Sequence, residues 1–375
     1  MDNSDYGRLN FEKAAWAKDA WINDIPEYTH LNWDRLYNVN WNNYDADGLR
    51  RSKYAVEERR VDQNDINLNA SVKWMASKAF TLTGGVNYKW NRTEYYKKMD
   101  DLLGGDYYLN IDQFAERDFA SSPTMVQNDL DYFLEHGEAK SLKEGDKYGY
   151  DYYAHVRNAN IWANGALDLG SFKANLALEA GYAKFWREGL VRKGLFAGLD
   201  DDGNEMMYGG KVLTTYDAKT GKAITSKGNS DISDFFTYSA KLGLQYHFEG
   251  GHRIYANGAY FNDAPTFAQS FISPRTRNSL VPNLTTVKTA SADLNYQYSN
   301  NGYNSFVNCA MNGIDQRHLG LEMGFKIPLP VQGLSVAGAL SWGEYIYTST
   351  PRMTMTVDNS AELVYDDQPV PYWAS

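Results

Sequence analysis

The sequence predicts an all-β protein: part of an antiparallel up-and-down transmembrane β-barrel, with short periplasmic turns and long, partly helical extracellular loops. Three observations predict it. Apolar and polar residues alternate with period two over stretches of ~9–11 residues, the mark of a strand with one oily and one wet side. Short and long connections alternate along the chain. Aromatic residues are abundant, with 29 Tyr, 16 Phe and 10 Trp beside 31 Gly, yet mean hydropathy is only −0.57. Half-apolar strands joined by polar loops give that combination.

In chain order, residues 1–60 read as an extracellular loop region with one helical stretch, Phe11 to Ile22. Residues 61–350 carry the strands and their loops, and 351–375 read as a loop or a truncated end. The first hairpin places Ile66, Leu68, Ala70, Val72 and Trp74, then Phe80, Leu82, Val86, Tyr88 and Trp90, on one face. Asn67, Asn69, Ser71, Lys73, Thr81, Thr83, Asn87 and Lys89 share the other. The second runs through Ile161, Ala163, Leu167 and Leu169, turns at Gly170-Ser171, and continues through Phe172, Ala174, Leu176, Leu178, Ala180 and Tyr182. The third spans Tyr238 to Phe248 and Ile254 to Tyr260 around Glu249-Gly250-Gly251. The fourth joins Ala290–Tyr298 to Tyr303–Asn312 through Asn300-Asn301-Gly302, and the fifth runs from Leu319–Phe325 to Leu334–Trp342. About ten strands in five hairpins result.

Turns within hairpins are short, whereas about 91–157, 187–236 and 262–288 connect one hairpin to the next. That alternation collects the short turns at one end of the sheet and the long loops at the other. Aromatic residues cluster near strand ends, where interfacial girdles sit. A soluble sandwich or sugar-binding barrel also alternates with period two, but its strands are shorter and its connections more even. The apolar faces of 66–90, 161–182 and 238–260 hold no Asp, Glu, Lys or Arg, which suits hydrocarbon.

The net charge of −10 argues against a nucleic-acid partner. Cys309 is alone, so neither an intramolecular disulfide nor a cysteine metal cluster is expected, and no cofactor is implied. The six histidines (His30, His136, His155, His247, His252, His318) show no metal-ligand spacing, and no nucleophile elbow or phosphate loop occurs. A catalytic function is therefore not expected. His318 with Asp315 and Arg317 reads as a short polar loop. Asp200-Asp201-Asp202-Gly203-Asn204-Glu205 resembles a calcium loop superficially and reads as a turn, as does Asp217 to Lys222. Trp16 and Trp21 stand as candidate stacking residues for a ligand, with loop packing the more ordinary use. Tyr107, Tyr108, Tyr148, Tyr150, Tyr152 and Tyr153 crowd the ends of a second loop. Asn91-Arg92-Thr93 and Asn283-Leu284-Thr285 match the glycosylation pattern, which arises often by chance. No ligand-binding residue can be singled out for one substrate.

Three strings then carry a resemblance. Asn262-Asp263-Ala264-Pro265-Thr266-Phe267 leads to Phe271-Ile272-Ser273-Pro274-Arg275-Thr276-Arg277-Asn278 and Val281-Pro282-Asn283-Leu284. Ile314-Asp315-Gln316-Arg317-His318-Leu319-Gly320-Leu321-Glu322 follows, and Asn32-Trp33-Asp34-Arg35-Leu36-Tyr37-Asn38 lies upstream. Together they resemble loops of TonB-dependent outer-membrane receptors of the nutrient-uptake type. The resemblance implies the C-terminal β-barrel part of such a receptor in the cell outer membrane. It implies active uptake of an oligosaccharide, peptide or metal chelate, with TonB and a plug domain as partners, outer-membrane lipid around the barrel and a surface lipoprotein beside it. Within this sequence no plug domain, TonB-contacting segment or signal peptide is read, and ten strands are few for the family, so a fragment or truncated frame is expected. The competing expectation is a soluble, aromatic-rich carbohydrate-binding β-protein. A barrel enzyme is the weakest reading.

Overall fold

A computed structural model of the chain describes residues 3–4, 8–9, 11–248, 252–298, 315–328, 335–347, 352–356 and 363–369. The protein is predominantly antiparallel β-sheet, with few helices. Nine strands dominate: β1 (Val56–Met75), β2 (Phe80–Asp101), β3 (Lys147–Asp168), β4 (Phe172–Gly189), β5 (Ser233–His247), β6 (His252–Asp263), β7 (Val287–Tyr298), β8 (Asp315–Pro328) and β9 (Ser335–Tyr347). They lie side by side in chain order from β1 to β9, with the two-residue strand Gly228–Asn229 added against β4. The described sheet is open, with β1 and β9 at its edges.

The ladders β3–β4, β4–β5, β5–β6, β6–β7 and β8–β9 are antiparallel. One ladder departs from the expected up-and-down order: β7 and β8 pair in parallel, Lys288 opposite Asp315. A parallel pair needs a return connection of about a dozen residues, and residues 299–314 supply that length. The expected turn at 300–302, the strand at 303–312 and Cys309 lie outside the described residues, as does the turn at 249–251. The region from 351 onward contains a short antiparallel pair, Arg352–Thr356 with Leu363–Pro369.

Several strands are longer than the alternation implied. β1 begins at Val56 rather than near Ile66, β2 extends to Asp101, and β3 starts at Lys147. The extra length of β1, Glu57 to Asp65, is polar on both faces apart from Val61, so it carries no period-two signal, whereas the start of β3 alternates through Tyr148, Tyr150, Tyr152 and Ala154. The long connections shorten accordingly to 102–146, 190–232 and 264–286.

The chain divides into two compact units. The first comprises Met1–Arg59, Lys97–Asn110 and Ala139–Tyr148. Its helices α1 (Phe11–Ile22), α2 (Pro26–Thr29) and α3 (Trp33–Trp41) replace the single helix expected in this region. Pro26 opens α2 where a missing N–H costs nothing, and the Asn32 side chain caps α3 by accepting from the Arg35 N–H. A small core gathers Met99, Leu102 and Leu142 with Ala55, Tyr108 and Tyr148 against it. Leu103 takes a left-handed φ of 48° and Gly104 one of 80°. A Cβ on Gly104 would fall on the Trp41 indole, 2.2 Å from Nε1, so the turn requires glycine there twice over.

Glu57 ties this unit together. It accepts hydrogen bonds from Lys97 Nζ (2.8 Å), the Tyr148 hydroxyl (2.6 Å) and Arg59 Nε (2.7 Å). Burial works to raise its carboxyl, but the bonds from Lys97, Tyr148 and Arg59 outweigh it and hold the group at about 2. A carboxylate depressed in the folded state stabilises at pH values above its unfolded titration, and that contribution fades as pH falls toward the folded value. The first unit of the wild type is therefore expected to lose stability between pH 4.5 and about 2. Glu57→Gln should be less stable at neutral pH and lack that acid limb. Melting curves at pH 7, 4 and 2.5 check this; a constant gap between the two proteins would contradict it.

The second unit comprises Arg60–Tyr96, Ile111–Glu138 and Gly149–Ser375. Its packed interior lies where the long loops meet the sheet, not across the sheet's middle. The helices α4 (Gln113–Asp118) and α5 (Leu130–His136) are capped by the side chains of Asp112 and Asp129, and Gly137 ends α5 at φ 76°. Leu130 and Phe133 of α5 bury against Ala197 and Met206.

Candidate functional site

The chemistry of the second unit is set by which way each strand residue points. On β4 and β5, Tyr182 lies opposite Phe236 and Phe172 lies opposite Tyr246. Between these two aromatic rows stand Ala174, Leu176, Leu178 and Ala180 on β4, and Tyr238, Ala240, Leu242 and Leu244 on β5. The same face continues through Ile161, Ala163 and Leu167 of β3 and through Ile254, Ala256, Gly258 and Tyr260 of β6. On β3 to β6 no Asp, Glu, Lys or Arg occupies it between the rows; farther along the sheet, Glu344 of β9 falls on this parity, opposite Leu319 of β8. It is also uncovered: Val72 is 73% exposed, Ile161 62% and Leu242 45%. Solvent-exposed apolar patches of this extent call for an explanation other than chance.

The rows are ten residues apart on both strands, which at ~3.3 Å per residue is about 33 Å along the strand. A strand tilt of ~40° brings their separation to about 25 Å, the height of the apolar band on outer-membrane barrels. Rings also meet inside the band and at its edge: Tyr238 and Tyr260 stack at 6.0 Å, and Tyr246 meets Phe248 edge-on at 4.8 Å. Tyr182 turns its hydroxyl outward to Asp234 at 2.7 Å, the amphipathic posture of an interfacial tyrosine.

The opposite face is polar and internally bonded. Asn160 Nδ2 donates to Glu179 (2.6 Å), Asn175 Nδ2 to Asn164 (2.8 Å) and Asn91 Nδ2 to Asp65 (2.9 Å). Trp162 is a large aromatic on this face: the indole lies over Gly85, where an added Cβ would meet the ring at 3.0 Å and the Ala70 carbonyl at 2.5 Å. Near the short turns this face forms a hollow of about 550 Å³, lined by residues that include Lys78, Asp168, Lys173, Asn175, Gln245 and Asn257.

Toward the long loops, the polar face is closed by the loops themselves. Arg187 of β4 is 1% exposed. It donates to the carbonyls of Pro274 (2.7 Å) and Ser226 (2.8 Å) and to Asn278 Oδ1, and its guanidinium lies 4.7 Å from the Tyr152 ring centre. Burial pushes it down to about 10, so it stays charged at neutral pH. Arg192 donates to Asp131 at 2.7 Å, and Lys193 to Asn128 at 2.6 Å. Buried cations of loop 190–232 thus fasten this end of the unit.

The first unit presents a different surface. Trp21 is 74% exposed, and Trp33, Trp41, Tyr28 and Tyr44 are exposed with it. Trp16 packs edge-on against Tyr28 at 4.6 Å. Along α3, Asn32, Asp34, Arg35, Asn38 and Asn42 line an open hollow. Indoles beside amides and a carboxylate are the side chains that hold sugar rings and peptides through stacking and hydrogen bonds.

The tyrosines expected to crowd together are divided. Tyr107 donates to Asp45 (2.7 Å) and Tyr148 to Glu57 in the first unit. In the second, Tyr152 stacks on Tyr95 at 5.1 Å with Tyr150 beside it. Asp200 accepts from the Asp202 and Asn204 N–H groups, and Asp217 from those of Lys219 and Thr220, closing two turns. Among the described residues no cluster of carboxylates, histidines or cysteine is placed to hold a metal ion. Asp315, Arg317 and His318 fall on strand β8 rather than in a loop. Asn91 is buried against Asp65, out of reach of a glycosylating enzyme.

The sequence pattern does not distinguish Arg187 from other strand cations, nor the basic residues of the apolar-face parity above Tyr182. The parity itself held the second signal, since Lys184 and Arg157 continue the alternation past the aromatic row. No family model, curated protein or solved structure matches the chain.

Proposed function

We propose that this chain is the barrel portion of an outer-membrane receptor for active uptake of a nutrient, meeting lipid with the apolar face of its sheet. The observation that carries the reading is the exposed band of β3 to β6, uncharged over ten residues between two aromatic rows. A barrel's usual strand tilt of ~40° would bring that length to the height of an outer-membrane apolar band, about 25 Å; a polar face suited to water or a plug backs it. Long loops lie at one end and short turns at the other, as capture outside and energy coupling inside require. The nutrient-uptake assignment, with TonB, a plug domain and a surface lipoprotein as partners, rests on the resemblance of the loop strings. The exposed aromatics and amides of α1 to α3 suit an oligosaccharide or peptide ligand.

Leu242 lies midway between Tyr238 and Tyr246 and provides the test. Leu242→Arg is expected to destabilise the protein in bilayers by about 2–4 kcal/mol, as an arginine at the midplane does. Gln245→Arg, on the polar face, should be close to neutral. A sandwich burying the Leu242 side would also reject arginine, so the deciding variant is Leu242→Cys in a Cys309→Ser background, carrying a thiol-linked fluorophore. Brominated acyl chains should quench it strongly and a matched Gln245→Cys weakly. Equal quenching at both positions, or none, would remove the membrane reading. Native protein recovered without detergent would favour the soluble carbohydrate-binding alternative, for which the exposed indoles are the specific support.

A further inference from the structure

Past the Tyr182 row, the parity of the apolar face continues into a different chemistry. Lys184 and Arg157 lie directly opposite each other, and Trp186 opposite His155. Both pairs stand one and two steps beyond the Tyr182–Ala159 pair, or ~7 and ~13 Å along the strand. The Arg157 guanidinium is held between two indoles, 4.6 Å from Trp90 and 5.3 Å from Trp186. Its Nη1 donates to the carbonyls of Asn91 (2.6 Å) and Val156 (2.9 Å), which fixes the plane and leaves its other donors available. Arg92 lies 4.7 Å over the Tyr153 ring, and its Nε is buried without a hydrogen-bond partner.

The nearby carboxylates are committed elsewhere. Glu188 bonds His155 at 2.7 Å, with His155 stacked on Trp186 at 4.6 Å. Asp234, across from Lys184 in register, accepts from Tyr182. No described carboxylate lies within ion-pair distance of Arg92, Arg157 or Lys184. Asp234 and Glu188 offset part of this positive charge, but their hydrogen bonds go to Tyr182 and His155, so the N–H donors of the cations remain open to a further anion. Planar, pre-oriented guanidinium groups suit the tetrahedral oxygens of a phosphate.

We infer that Arg92, Arg157 and Lys184, framed by Trp90 and Trp186, form a binding site for the phosphate of a membrane lipid headgroup. The position selects lipid over a free anion. The cations begin where the apolar band ends, at the depth of the headgroups, and the indoles beside them are interfacial side chains. This inference rests on the membrane reading above, and its test separates the two.

The experiment uses the full chain in detergent micelles, with phosphatidic acid as a phosphomonoester lipid and phosphatidylcholine as the zwitterionic control, both carrying brominated chains. Tryptophan quenching by the bromines reports relative affinity. Wild type is expected to prefer phosphatidic acid by roughly tenfold or more, the worth of about one charge-assisted hydrogen bond. Arg92→Gln/Arg157→Gln should abolish the preference, and Lys184→Gln, which leaves the indole sandwich intact, should reduce it. The fluorophore at Leu242→Cys is quenched in all of these if the band meets lipid. Quenching there without headgroup preference overturns the phosphate site and leaves the membrane reading standing. No quenching at Leu242→Cys overturns both. Full displacement of phosphatidic acid by millimolar inorganic phosphate would make this a free-anion site and overturn the lipid assignment.

Discussion

Arg187→Met is expected to destabilise the second unit by about 3–5 kcal/mol, the cost of breaking a buried, hydrogen-bonded charge. Methionine fills much of the volume but donates nothing, so the Pro274 and Ser226 carbonyls and Asn278 Oδ1 lose a buried donor. Each such orphan costs ~1–3 kcal/mol. Relief of the arginine's desolvation offsets part of the sum and sets the lower bound. Arg187→Lys keeps the charge but loses the planar fork that reaches several acceptors at once, so an intermediate loss is expected. The measurement is urea unfolding in detergent together with proteolysis of loops 190–232 and 264–286, which should be cut faster in the methionine variant. A methionine variant as stable as wild type would mean that packing, not the fork, holds these loops.

Asn40→Ala should cost the first unit about 2–4 kcal/mol, through the buried backbone groups it strands. Asn40 is fully buried on α3. Its Nδ2 donates to the carbonyls of Tyr54 (2.8 Å), Leu102 (2.9 Å) and Leu103 (3.1 Å), and its Oδ1 accepts from the N–H groups of Lys53 and Tyr54. Leu102 keeps a second donor in the Ser52 hydroxyl at 2.7 Å, so the loss concentrates on Leu103, Lys53 and Tyr54. Leu103 has a left-handed φ, a conformation costing ~1–3 kcal/mol that the surrounding bonds must hold. Asn40→Asp should be no better, because a carboxylate would face three carbonyl oxygens. Hydrogen exchange at the Lys53 and Tyr54 amides should accelerate in the variant, while amides of β4 and β5 stay protected. Uniform acceleration throughout would mean that the units open together.

By itself the sequence determined the all-β class, the strand order of the first, second, third and fifth hairpins, and the two faces of the sheet. It did so because a half-covered strand must repeat every second residue. The registers of Leu242, Leu176 and Ile161 follow directly from that rule. The short turns near 76–79 and 169–171 were legible for the same reason, as were the Asp200 and Asp217 turns, whose carboxylates bond locally. Tertiary structure alone decided the rest. β1 and β2 run on through Glu57 and Lys97 because a ladder rewards backbone pairing whatever the side chains are, and pairing leaves no period where both faces are largely polar. The fixing of loops by Arg187, the lock formed by Asn40 and the indole sandwich around Arg157 depend on residues 13 to 91 positions apart. Their spacing encodes nothing local, because a hydrogen bond or a cation over a ring is set by where the folded backbone brings the groups, not by their separation along the chain.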